Sequence, residues 1–145
     1  MTGTYPGLLT AIVLLPAGGA VAAGLLLRSD RAVRSLATAV MAADLALTLV
    51  AWSLFLRGGQ SPLSERLGDY GANAWIPGVN ALYSLTLDGL SLPLAALAAL
   101  LGLVAVLASW HVTMRVREYH VWLLVLVTGV QGVFAARDLL LFFLF

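Results

Sequence analysis

The chain has 145 residues, of which 61% are hydrophobic and 10% charged, with a formal net charge of +1. A soluble domain carries about 25% charged residues, and one of this mass would show water roughly 7,000 Å² of surface; eight basic and seven acidic side chains cannot cover it. A soluble enzyme, a nucleic-acid binder and a disordered tail are excluded on this composition, the small net charge gives no field to steer acidic partners, and the absence of cysteine removes disulfides, thiolate metal sites and cysteine nucleophiles.

Taken in chain order, the apolar segments have the length of membrane spans, which need about 20 residues. Residues 8–27 form the first, uncharged but interrupted by Pro16 and Gly18-Gly19, a break that neighbouring helices can absorb in a bundle. Met1 to Gly7 carry no charged side chain, so this is no signal peptide. Residues 35–56 form the second span, with one charge, Asp44, near its middle. A carboxylate there costs about 2.5–3.5 kcal/mol and the flanking Leu, Val and Phe residues return roughly 0.3–0.6 each. Asp44 is therefore expected to face protein or water, with Thr48 one helical turn on as a candidate partner. Two roles stand open for it: a proton-path carboxylate, or a neutral hydrogen-bonded residue that fixes helix packing. The second is favoured, because no other ionisable residue lies mid-span.

Residues 57–87 form the extramembrane or interfacial connection, rich in turn residues such as Gly58-Gly59, Ser61-Pro62 and Pro77-Gly78. Asp88 or Ser91 is placed to cap the third span, residues 89–110, with Pro93 in its first turn. The fourth span covers 118–136. Arg137 and Asp138 then make a tight turn, Asp138 serving as the N-cap of a fifth helix that begins at 138. Leu139 to Phe145 reach only about 10 Å into a core about 30 Å thick. The sequence is accordingly expected to be the N-terminal part of one longer membrane domain. Its fold class is an all-α polytopic bundle, with four transmembrane helices and the start of a fifth.

Aromatic residues sit where an interfacial belt puts them: Tyr5, Trp52, Trp110, Tyr119 and Trp122. Arg28, Arg31, Arg34, Arg115 and Arg117 fall on one side of the predicted topology, and Arg57, Arg66 and Arg137 on the other. The positive-inside rule then places the N-terminus outside the cytoplasm. Gly19/Ala23, Ala20/Gly24 and Ala95/Ala99 are small residues four apart, a pattern that permits close helix packing. His111 and His120 flank the third connection and are expected to lie at the interface, since no carboxylate or thiolate completes a metal set. The polar candidates are thus Asp44, Asp88 and Asp138. No catalytic, cofactor-binding or metal-ligating residue is assigned.

The residues carry one further signal. The stretch from Trp75 to Leu94, W-I-P-G-V-N-A-L-Y-S-L-T-L-D-G-L-S-L-P-L, resembles a W-I-P and D-G-L-S-x-P-L signature. The runs from Leu100 to Trp110 and from Gly129 to Phe145 extend that resemblance. Together they are similar to chain M, or chain 4, of proton-pumping NADH-quinone oxidoreductase, the respiratory complex I, whose membrane subunits resemble Mrp-type antiporters. The resemblance implies a proton-translocating membrane-arm subunit among other membrane-arm subunits in the lipid bilayer of a bacterial plasma membrane, with no nucleic-acid partner. NADH and quinone would be handled by other subunits, so no cofactor is expected on this chain. The family's functional Glu of the fifth helix and Lys of the seventh fall outside this sequence; Asp88 and Asp138 match motif positions only. A monovalent cation/proton antiporter subunit, a membrane-bound hydrogenase subunit, and a non-catalytic scaffold complete at 145 residues are the competing readings.

Overall fold

Hydrocarbon offers no hydrogen bonds, so a spanning chain must satisfy its backbone internally, and long helices are the open-chain solution. The computed structural model describes residues 3–4, 7–27, 29–59, 61–67 and 83–145. Its elements are β1 (Gly3–Thr4), α1 (Leu8–Leu25), α2 (Asp30–Arg57), β2 (Leu63–Leu67), β3 (Tyr83–Leu87), α3 (Ser91–Ala108), a short 3₁₀ turn (Ser109–His111), α4 (Val116–Ala135) and α5 (Leu139–Leu144). Among the described residues, four helices are long and apolar enough to cross a membrane. The 28 residues of α2 extend about 42 Å at 1.5 Å each, longer than the hydrocarbon core. The helix therefore starts ahead of its apolar stretch, with Asp30, Arg31 and Arg34 in the added turns.

The helices surround one another with α1 packed on α2 and α4, and α3 on α2 and α4. Small residues set the closest approaches. A Cβ on Gly19 of α1 would lie 2.8 Å from both Val40 methyls of α2, and one on Gly102 of α3 would lie 2.6 Å from Met41 Cε and 2.9 Å from Val127 Cγ2. Ala20, Ala23, Ala95 and Ala99 are buried as well. Large apolar side chains point outward instead, among them Val21, Leu101, Val104, Trp122 and Leu126. Such an apolar exterior matches a lipid-facing surface.

The connection between α2 and α3 departs from an all-α plan. Its two ends form β2 and β3, paired antiparallel from Leu63↔Leu87 to Leu67↔Tyr83, and β1 adds in parallel through Gly3↔Leu63 and Thr4↔Ser64. The sheet lies at the end of the bundle where α1 and α3 begin and α2 and α4 end. Leu85 bridges to Ala136, and the Arg137 amide donates to Ser84 O at 3.0 Å. Trp75 to Leu82, Tyr5 and Arg28, which the sequence reading used, lie outside the described residues.

Glu65, 6% exposed, joins sheet to bundle. Gly7 precedes α1 with a left-handed φ of 88° and contributes no side-chain cap. Glu65 supplies the cap from the sheet: its Oε2 accepts from the Leu9 and Thr10 amides at 3.0 and 3.1 Å, and its Oε1 from Thr10 Oγ1 at 2.6 Å. A negative charge there also complements the helix dipole. Removing an N-cap acceptor costs about 1–2 kcal/mol, so Glu65→Ala is expected to lower unfolding stability by that amount and to speed deuterium exchange at the Leu9 and Thr10 amides specifically. Unchanged exchange at those two amides would contradict the capping role.

Candidate functional site

The interior of the bundle is apolar except where α2 and α4 face one another. The buried face of α2 runs Val33, Ala37, Met41, Asp44, Thr48, Ala51 and Phe55, spaced three and four apart as one helical face requires. That of α4 includes His120, Leu124, Thr128, Gln131, Gly132 and Ala135. Asp44, with no exposed surface, meets Gln131, 1% exposed, where the stripes cross.

Gln131 Nε2 donates both its hydrogens, one to Asp44 Oδ2 at 3.2 Å and one to Ala95 O at 3.1 Å. Ala95 O can only accept, which fixes the amide with its nitrogen toward Asp44. One side chain of α4 thereby ties together α2 and α3. Thr48, the partner expected from sequence, instead donates through Oγ1 to the Asp44 backbone carbonyl at 2.8 Å. Thr128 turns back on its own helix in the same way, to Leu124 O at 2.9 Å. Asp44 Oδ1 and Gln131 Oε1 are buried with no hydrogen-bond partner.

His120, expected at the interface, is fully buried against protein, on the inward stripe of α4 that begins one turn earlier at Val116. Its Nδ1 lies 2.8 Å from Val116 O, so Nδ1 carries the hydrogen and Nε2, buried and unpartnered, is the acceptor nitrogen. Along α4 it stands about 16 Å from Gln131. A layer of Ala20, Ala37, Met41, Val106, Leu124 and Val127 fills the bundle between them. The two polar positions are separate. His111 is exposed.

Asp88 and Asp138 lie at the sheet end, away from Asp44, and act as caps. Asp88 Oδ1 accepts from the Ser91 and Leu90 amides at 2.8 and 3.0 Å, while Ser91 Oγ accepts from the Asp88 amide at 2.9 Å, a reciprocal capping box. The amides of Ser91 and Leu90 hold the Asp88 carboxyl below its usual value. Asp138 Oδ1 accepts from the Leu140 amide at 2.9 Å to start α5, which folds back so that Phe145 rests on Gly132 of α4. Among the described residues no group of three or more His, Asp or Glu comes together as a metal site would require.

The chain is similar in sequence to known proteins along its whole length. No protein-family model matches the chain. Over all of its length it is 37% identical to the NAD(P)H-quinone oxidoreductase chain 4 of Gloeobacter violaceus, covering 26% of that protein. Over 94% of its length it is 42% identical to a chain 4 of a Synechococcus species and 37% identical to one of a Nostoc species, covering 25% of each. The chain is a homologue of NAD(P)H-quinone oxidoreductase chain 4. It spans about a quarter of the length of these relatives. Helices and homology together make it an integral membrane protein.

Gln131 is uncharged, so nothing in the apolar run around it marks it as a partner for Asp44. Its position eleven residues after His120, on the same face as Leu124 and Thr128, is the signal that identifies it. Losing an interhelical hydrogen bond in a membrane protein costs about 0.6–2 kcal/mol. Gln131→Leu is therefore expected to lower stability by that amount in detergent unfolding, and less so in an Asp44→Leu background. Equal losses in both backgrounds would rule out the pairing. The Asp88 cap has a pH signature. Its stabilisation is complete above the ordinary carboxylate value near 4 and fades as pH falls through the lower folded value. The destabilisation by Asp88→Ala, about 1 kcal/mol at neutral pH, should shrink toward zero in acid; a penalty that stays constant would exclude the charged cap.

Proposed function

We propose that this chain is part of a proton-translocating membrane-arm subunit of an NAD(P)H-quinone oxidoreductase, which couples electron transfer in other subunits to proton transport. The observation that carries the reading is the similarity along the whole chain to proteins of that name. Its bundle, small inside and apolar outside, suits a helix set that packs among other membrane helices. NAD(P)H and quinone act elsewhere in the complex, and this stretch provides scaffold and packing rather than a reaction centre. The Asp44–Gln131 tie holds α2, α3 and α4 in register for that purpose.

The membrane is the bacterial plasma membrane, with the sheet and the N-terminus outside the cytoplasm. In support, Arg31, Arg34, Arg115 and Arg117 share the end opposite the sheet, where Arg34 Nη2 donates to Val112 O at 2.7 Å and thereby joins the start of α2 to the α3–α4 connection. Arg57 and Arg137 lie at the sheet end.

The test uses inverted membrane vesicles from cells with and without the full-length gene. NAD(P)H-driven, uncoupler-sensitive proton uptake is expected to be lost on deletion and restored by the intact gene. Persistence of that uptake together with loss of sodium- or potassium-driven proton exchange would replace this reading with a cation/proton antiporter. Persistence of both would leave a scaffold.

A further inference from the structure

The Asp44–Gln131 contact leaves two acceptors without a donor. Asp44 Oδ1 and Gln131 Oε1 are both buried and unpartnered, and they belong to the two groups already joined through Nε2 and Oδ2. The amide cannot turn to cure this, since its nitrogen is also held by Ala95 O. The soft terminal torsion of the Asp44 carboxyl can bring Oδ1 toward Oε1 while Oδ2 keeps its bond. What the pair lacks is one hydrogen. Buried acceptors in native proteins are satisfied, and one left without a donor destabilises the fold.

The surroundings narrow the source of that hydrogen. The buried faces of α1 and α3 carry no ionisable side chain, the buried face of α4 carries only His120, and α2 itself contributes only Asp44. His120 lies beyond the Met41–Leu124 layer, and the other buried acid, Glu65, is engaged at the N-terminus of α1. No cation faces Asp44 from these helices. An ionised carboxylate with a single amide donor and no counter-charge is among the costliest groups to place inside a membrane bundle.

We propose that Asp44 and Gln131 form a proton-binding site: a proton bonded to Asp44 Oδ1 is donated to Gln131 Oε1, while Gln131 Nε2 donates to Asp44 Oδ2, closing an acid–amide ring. The ring satisfies all four of these oxygen and nitrogen positions and carries no net charge. It goes beyond the transport reading and stands independently of it, because it concerns where a proton is held and not whether one is moved across the membrane.

The test is infrared spectroscopy of the purified, assembled complex at neutral pH. The wild type minus Asp44→Asn difference should contain the carbonyl band of a protonated carboxyl, shifted by exchange into D₂O. Asn can rebuild the ring, its Nδ2 donating where the acid did, so assembly should be retained. If Asp44→Asn fails to assemble, Gln131→Leu supplies the readout: the same band should move to higher frequency as the acid loses its acceptor, and an unmoved band overturns the ring. A carboxylate band in place of the carbonyl band, whether or not water bridges it, also overturns the proposal. So does a band that appears or vanishes on replacing sodium or potassium, which would put a metal cation between the two oxygens.

Discussion

No polar group on the inside of this bundle can be left for the lipid to satisfy, and the architecture follows from that constraint. It dictates helices across the membrane, carboxylate caps where α1, α3 and α5 begin, and an inward orientation for Asp44, Thr48, His120 and Gln131. Asp44 is tolerated because Gln131 meets it, and Gln131 because it divides its two hydrogens between α2 and α3. The same need is met at the sheet end by carboxylates: Glu65 for α1, Asp88 for α3 and Asp138 for α5.

Close packing makes these bonds possible. An amide can reach across to two neighbouring helices only where their axes lie near one another. The glycines at 19 and 102 allow this, because a side chain there would strike Val40, Met41 or Val127, and the buried alanines at 95 and 99 keep that face of α3 small. Burial of small residues and exposure of large ones is the packing expected when lipid competes with helix for apolar contact. Polar bonds and small side chains are thus one device: the second brings the helices close enough for the first.

How far the sequence was legible depended on range. Long apolar runs carry their own signal, and so do local caps: Asp88 with Ser91, and Asp138 ahead of Leu139, were readable because donor and acceptor lie within three residues. The partners of Asp44 and of the α1 N-terminus were not, since Gln131 stands 87 residues from Asp44 and Glu65 stands 56 from Leu9. Thr48 was the nearest polar neighbour along the chain, but a threonine inside a helix finds its own backbone first. The strands were hidden because β2 and β3 are short, and each depends on a partner across the connection. Helical phase turns His120 inward, which its place beside charged residues does not reveal.

Glu65 has a consequence for the order in which the protein is made. The first helix cannot be capped by its own neighbours, and its cap is encoded after the whole of the second helix. Until Glu65 is made, the leading amides of α1 have only water at the membrane boundary as a partner. Only when α2 has crossed back and the chain reaches Glu65 does the carboxylate arrive, together with the strand that pairs β1 to β2. The first two helices therefore lock as a pair rather than in sequence. The sheet thus fastens the start of α1 to the segment that follows α2.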